Sequence, residues 1–229
     1  MIEDPPLLTI RRNFPRPTAQ QVAALTGVPT GFVVDCLDGR GALDGRIKPI
    51  DPAAAGFCGV ALPCHAGPAD NLAVFGALDA AQKGDVILIG TDGFAATAVI
   101  GDLVLGMASN RGAAAVVTDG YVRDILGLRE VGLPCFAAGV TPNSPARNGP
   151  GTVGLPVTLG DVTVEAGDLV VGDLDGVVVL PFARIDAVIA RLESVRKAEA
   201  ELDAKVKAGL ELPDFVRDLL ASDRVREVD

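Results

Sequence analysis

Tryptophan is absent from this chain of 229 residues, and histidine occurs once, at His65. A zinc site built from several histidines is therefore excluded, and any Ser-His-Asp or Cys-His machinery would have to use His65. The serines are Ser109, Ser144, Ser194 and Ser222, and none lies in G-x-S-x-G. With no partner cluster beside it in the sequence, His65 reads as a structural residue. Lysine is also scarce. A Schiff-base enzyme needs a lysine of depressed pKa. Of Lys48, Lys83, Lys197, Lys205 and Lys207, only Lys48 falls in a strand-like segment. The four cysteines, Cys36, Cys58, Cys64 and Cys135, fit neither a zinc nor a redox spacing. They read as buried free thiols of a reducing cytoplasm. No apolar run is long enough to cross a bilayer: Pro52 to Cys64 is too short and contains Gly and Pro. The opening MIEDPPLLTI lacks the apolar core of a signal peptide. No G-x-G-x-x-G or G-K-[ST] follows a strand, so a nucleotide cradle is unsupported.

What is present is small, apolar and acidic. Hydrophobic residues reach 49% while aromatics are 4%, so the core has to be built from Ala, Val, Leu and Ile. The formal charge of −10 disfavours a phosphate backbone as partner, which argues against nucleic acid. It does not argue against a small anionic substrate, because a local Arg overrides a global field.

Along the chain, Pro17 to Val28 reads as a first helix and Thr30 to Leu37 as a second, closed by Gly39 and Gly41. Asp35 in that helix has two readings, a solvated surface residue or an acidic member of a site. Ile47 to Pro52 and Gly56 to Pro63 read as strands. Leu72, Phe75, Leu78 and Ala81 mark a helix face, and Asp85 to Ile89 a strong strand. Beyond Cys135 to Ala137, a Pro/Gly/Asn-rich segment from Thr141 to Pro156 reads as a long loop, of the kind that carries function or an interface. Short strands follow at Pro156 to Leu159, Val162 to Val164, Leu169 to Val171 and Val177 to Leu180. The GDLDG between the last two lacks the EF-hand ligand pattern and reads as a hairpin turn. From Pro181 the period becomes helical through Phe182, Ile185, Val188, Ile189, Leu192 and Val195, to about Lys207. A short helix over Phe215 to Leu220 ends the pattern. Residues 1–180 thus form an α/β domain, and residues 181–229 a helical extension of it.

The organising stretch is GDLVLGMASNRGAAAVVTDGYVRD, Gly101 to Asp124. Asp102 opens a helical pattern, Ala113 to Val117 is a buried strand, and Arg123-Asp124 start a second helix. Both aspartates would sit at helix starts on one edge of a sheet, where open α/β folds bind ligands. Helix capping alone also explains an Asp in such a place, and an exposed Arg-Asp pair is worth little.

Asp102, twenty intervening residues and then Arg123-Asp124 resembles the signature of the class II pyruvate aldolases of the RraA-like family, which cleave 4-hydroxy-4-methyl-2-oxoglutarate and 4-carboxy-4-hydroxy-2-oxoadipate. VVTDGYVRD, FAAGVTP and VGDLDGVVVLP extend the likeness over roughly Pro29 to Pro181. The resemblance implies the swivelling β/β/α fold, and the mixture of βα units with antiparallel strands is compatible with it. It implies a lyase releasing pyruvate, with oxaloacetate decarboxylation as a side activity. Asp124 would hold Mg²⁺ or Mn²⁺, which accepts one carboxylate and several waters. Arg123 would fork onto a carboxylate or keto oxygen. The backbone N–H groups of Gly101, Asp102, Leu103 and Val104 would take the other end of the anion. The family further implies a homotrimer or homohexamer with sites near subunit boundaries, and Glu199 reaching a neighbour's site to assist proton transfer. A different class is implied by other relatives: a non-catalytic protein that binds ribonuclease E and regulates it.

Overall fold

The structure is a computed structural model that describes residues 5–228. Strand β1 (Leu8–Ile10) leads to helices α1 (Ala19–Leu25) and α2 (Thr30–Cys36), then β2 (Lys48–Pro49), β3 (Phe57–His65) and α3 (Leu72–Ala80). The middle of the chain runs β4 (Asp85–Gly90), β5 (Ala98–Ile100), α4 (Asp102–Asn110), β6 (Ala115–Thr118), β7 (Tyr121–Val122), α5 (Ile125–Val131) and β8 (Cys135–Ala137). Strands β9 (Gly139–Val140), β10 (Gly151–Val153), β11 (Val157–Leu159), β12 (Val162–Val164), β13 (Leu169–Gly172) and β14 (Val177–Leu180) follow. Helices α6 (Ile185–Lys207) and α7 (Asp214–Leu220) complete it.

The apolar runs pair as a parallel set, β3-β4-β6-β8, with β2 antiparallel on the far edge. Such strands are covered on both faces, which is why β4 and β6 are buried at every position rather than alternating. The nine residues of β3 serve three partners. Phe57 to Val60 pair with β13, Cys64 and His65 with β10, and the opposite edge with β4. Gly59 permits the close approach of the turn that leads into β4: a Cβ there would lie 2.4 Å from the Gly84 carbonyl and 2.9 Å from Val86 Cγ2.

Three apolar clusters follow from this layering. One lies between the sheet and α3, α4 and α5. The second fills the opposite face, around Leu88, Val117 and Phe136, with the β11–β12 hairpin over it. The third joins α1, α2 and the start of α6 to β13 and β14. Helix α1 begins with a capping box: Gln21 N donates to Thr18 Oγ1 at 3.2 Å and Thr18 N donates to Gln21 Oε1 at 2.8 Å. The Asp173 carboxylate of the β13–β14 turn accepts from both Thr30 N and Thr30 Oγ1 at 2.8 Å, tying that hairpin to α2.

The sequence pattern misplaces several boundaries. Helix α1 is shorter than Pro17 to Val28, because Gly27, at φ +73, and Pro29 stop it early. Of Ile47 to Pro52 only Lys48–Pro49 pairs, and Pro52–Ala54 is a 3-10 turn capped by Asp51. The segment from Thr141 to Pro156 is not all loop. It contributes β10, whose Gly151 lets the strand lie against Ala73 and the His65 carbonyl, where a Cβ would come within 2.8 and 3.0 Å. A three-residue strand with Gly at its head carries too little apolar pattern to announce itself. Helix α5 begins at Ile125, not at Arg123. Among the described residues no helix is long and apolar enough to cross a membrane.

Candidate active site

A second, three-stranded parallel sheet, β5-β7-β9, delivers the candidate site residues. Each of the core strands β4, β6 and β8 turns at its carboxyl end and continues into one short strand of this layer. The chain leaving β5 presents Gly101-Asp102 and the chain leaving β7 presents Arg123-Asp124. The chain leaving β9 presents Ser144. The three outlets are neighbours because the three strands are, so residues some twenty apart in sequence converge on one edge. Strands of two or three residues such as these carry no sequence period of their own.

Arg123 is held at three points. Its N–H donates to the Ile100 carbonyl at 3.1 Å, its Nε lies 3.1 Å from Asp124 Oδ2, and its Nη1 donates to Ser144 Oγ at 2.6 Å. The side chains of Arg123 and Asp124 remain 38% and 44% exposed, so both can meet a ligand. Asp124 occupies the N-cap position of α5 but does not cap it: no side-chain cap bond forms, and its backbone is left-handed at φ 60°, ψ 49°. Asp tolerates that region better than most residues, but it remains a cost that persists where the surroundings enforce it. The left-handed turn aims the carboxylate away from the helix and towards Gly101. A Cβ at Gly101 would lie 2.4 Å from Asp124 Oδ2 and 3.2 Å from Arg123 Nε.

Asp102 is the first residue of α4, with Gly101 as the N-cap. Its Oδ1 accepts from Leu103 N at 2.7 Å, and its Oδ2 sits where a Cβ on Gly127 would come within 2.4 Å. Asp102 thus wedges the first turn of α4 against α5. Of the four N–H groups expected to cradle an anion, that of Leu103 is already taken by Asp102. Leu103 stays at the surface of the same turn, 74% exposed, while Val104 is half-buried against the core. A shallow groove runs from here between the two helices, past Gly106, Met107, Gly127 and Glu130.

Glu199 is not part of this constellation within one chain. It lies exposed on the later turns of α6 and makes no hydrogen bond or ion pair among the described residues, while the buried residues of α6 (Ile185, Val188 and Leu192) belong to the α1–α2 cluster. Asp35 lies on α2, in a groove with Thr30, Val34 and Asp175. Lys48, the one lysine in a strand-like setting, is exposed and donates to the Asp175 carbonyl, so it offers no desolvated amine.

Two groups are added by the structure. Ser144 had counted only as a serine without a nucleophile motif; it is the hydroxyl that orients Arg123. Asn71, 3% exposed at the start of α3, donates from Nδ2 to the Val99 carbonyl at 3.1 Å and so steadies the strand that delivers Gly101, while its Oδ1 has no partner among the described residues. His65, read from the sequence as a structural residue, has one acid beside it: Nε2 lies 2.9 Å from Asp92 Oδ1. Asp92 lines a separate cleft with Asp44, Arg46, Asp119, Tyr121 and Asp161. Most carboxylates there are already engaged. Asp44 pairs with Arg46 at 2.7 Å, and Asp119 accepts from Thr91 N, Thr91 Oγ1 and Gly93 N. That cleft reads as latched turns, whereas Arg123 and Asp124 form a half-exposed pair.

No group of three His, Cys, Asp or Glu side chains that could hold a metal forms among the described residues. A Mg²⁺-type ion does not need one: it keeps most of its waters and binds through one or two carboxylates. A half-exposed Asp124 carboxylate, seated where Gly101 carries no side chain, fits that requirement.

The sequence and the fold place the chain among known proteins. The Aldolase/RraA profile matches residues 30–179. A protein of Halalkalibacterium halodurans that carries the provisional name 4-hydroxy-4-methyl-2-oxoglutarate aldolase is 37% identical over 181 residues, 79% of this chain and 84% of that one. The crystal structure of Streptomyces coelicolor RraAS2, described as an unusual member of the RNase ES inhibitor RraA family, superposes with a TM-score of 0.75 at 28% identity, covering 83% of this chain and all of that one. The RNA-processing inhibitor RraA of Thermus thermophilus superposes at 0.62 and 30% identity, over 67% and 93% of the two chains. The α/β architecture with its C-terminal helix is thus the RraA-like one, and the chain belongs to the RraA-like Aldolase/RraA family.

Proposed function

We propose that the protein is a divalent-metal-dependent lyase that cleaves 4-hydroxy-2-oxo acids of the 4-hydroxy-4-methyl-2-oxoglutarate type to pyruvate and a second oxo acid. The observation that carries this reading is the Arg123-Asp124 pair, turned out of its helix by the left-handed backbone of Asp124 and received by Gly101. A protein that only binds another protein has no need of a strained, half-exposed Arg–Asp pair backed by Ser144.

In this reading Asp124 holds the ion, and Arg123 binds the keto and carboxylate end of the substrate by its planar fork. Bound there, Mg²⁺ or Mn²⁺ would act as a Lewis acid on the 2-oxo group. A base takes the proton from the hydroxyl on the fourth carbon, which becomes the oxo carbon of the second product as its bond to carbon three breaks, and a proton later returned to carbon three completes pyruvate. The electron pair moves to the pyruvate half as an enolate, whose developing charge faces the Arg123 guanidinium. The Asp102 and Val104 N–H groups at the start of α4 take the other end of the anion, Leu103 N being engaged. Oxaloacetate passes through the same enolate when it loses carbon dioxide, so decarboxylation accompanies the main reaction. The Glu199 carboxylate would assist proton transfer from a neighbouring subunit of a trimer or hexamer.

The test is pyruvate release across a panel of 4-hydroxy-2-oxo acids, with EDTA in one arm and borohydride plus pyruvate in another. Loss with EDTA and resistance to borohydride is the expected result. Inactivation by borohydride with indifference to EDTA overturns the mechanism. Silence across the panel, together with capture of a ribonuclease E fragment, makes the protein a regulator instead.

A further inference from the structure

We propose that Arg147 is the residue that selects substrates by a second carboxylate, the one distal to the pyruvoyl half. This rests on the lyase reading above.

The segment after β9 is stitched to the site along its length. Ala98 N donates to the Asn143 carbonyl at 3.0 Å, and Asn143 Nδ2 to the Ala96 carbonyl at 2.9 Å, fixing the segment on the strand that delivers Gly101. Ser144 Oγ accepts from Arg123. Ala146 N donates to the Ala69 carbonyl at 2.7 Å, and Asn71 N to the Ala146 carbonyl at 3.0 Å. The Asp70 carboxylate then accepts from Asn148 N at 2.6 Å and Gly149 N at 3.2 Å. Arg147 is therefore carried on a strap whose neighbours on both sides are pinned, three residues beyond the hydroxyl that touches Arg123.

Its guanidinium lies over the Phe75 ring, 5.0 Å from the centroid. Phe75 is one turn into α3, the helix that Asn71 couples to β5. Arg147 is exposed and has no carboxylate within ion-pair distance among the described residues. In a chain of formal charge −10, a cation held by a ring rather than by one of the many acids keeps its fork donors free for a ligand.

The spacing suits a diacid. Three residues of extended chain span at most about 10 Å, so the Arg147 and Ser144 backbones are no farther apart than that. The terminal carboxyl carbons of a five-carbon 2-oxo diacid are roughly 5 Å apart, counted over four C–C bonds. With one end on Arg123, a long, flexible arginine on the strap can meet the other. Substrates with a second carboxylate on the fourth carbon or beyond would use this contact, and those ending in a methyl or hydrogen would not.

The measurement is kcat/KM for pyruvate release from 4-hydroxy-4-methyl-2-oxoglutarate and from 4-hydroxy-2-oxopentanoate, which lacks the distal carboxylate. Arg147→Gln should lower the ratio of the two by about 10- to 100-fold, the worth of a charged hydrogen bond, chiefly through KM on the diacid. Arg147→Lys should recover part of the ratio. A strap that merely loses its packing on Phe75 lowers both substrates together. An unchanged ratio, by that route or by no effect at all, overturns the inference while leaving the lyase reading intact. Failure of the wild-type protein to release pyruvate from either substrate overturns both.

Discussion

Gly101 and Asp124 share one volume: the carboxylate oxygen of Asp124 stands 2.4 Å from where a side chain on Gly101 would begin. Gly101 has φ −135° and ψ −168°, a conformation open to any residue, so its need for glycine is steric and not conformational. Gly101→Ala is therefore expected to displace the carboxylate and the Arg123 fork behind it. Turnover should fall at least about tenfold, with a loss of stability of about 1–3 kcal/mol from overpacking. Pyruvate release and a denaturant curve on the same preparation check both. A fully active variant would mean that Asp124 acts from some other position.

Asp124→Asn separates charge from backbone. Asn accepts the left-handed region as Asp does, so the turn should survive and the thermal midpoint should stay within a few degrees. Metal-dependent turnover should be lost. Arg123→Lys keeps the charge but loses the fork to Ser144 and to substrate, and kcat/KM should drop by orders of magnitude. Steady-state kinetics on oxaloacetate, with metal titration, read both variants. Wild-type rates in the pair would remove this site from the reaction.

The buried carboxyl of Asp85, at the start of β4, accepts from Gln82 N at 2.9 Å and from the Arg16 guanidinium. Burial pushes its pKa up, against the opposing pull of the Gln82 N–H and Arg16. An acid whose folded pKa exceeds its unfolded value holds its proton more tightly in the native state. This group therefore favours folding at low pH, and its contribution declines as pH rises from about 3.9 through the raised folded value. Arg16→Ala removes the compensating cation and should cost about 3 kcal/mol at neutral pH. The deficit should shrink on acidification and in an Arg16→Ala, Asp85→Asn double variant. Urea unfolding between pH 4 and pH 8 reports it, and a deficit that ignores pH would assign the loss to packing alone.

Glu199 lies outside the site of its own chain, so its effect tests assembly. If a neighbouring subunit supplies it, Glu199→Ala should lower kcat while leaving the fold and metal affinity in place, and dissociated subunits should be inactive. Light scattering with activity measured on the same fractions decides this. An active monomer returns Glu199 to the solvent.

Much of the architecture was legible in the linear order of residues. The apolar run VILI at Val86 to Ile89, bounded by Asp and Gly, matches a buried strand in length and β-branched content, and the 3.6 period of Ile185 to Val195 matches a helix with one buried face. The pairing of Asp102 with Arg123-Asp124 was visible because each follows an apolar segment and precedes a helix. Tertiary structure decided what those residues do there. Whether Asp124 caps its helix or leaves it depends on a left-handed backbone turn and on the space beside Gly101. Strands of two or three residues, such as β5, β7 and β9, have no periodicity of their own and exist because a neighbour supplies their hydrogen bonds. Ser144 joins the site for the same reason. It is brought to Arg123 by the pairing of β9 with β7 and by the bonds of Asn143 to Ala96 and Ala98, relations between chain segments that no residue carries by itself.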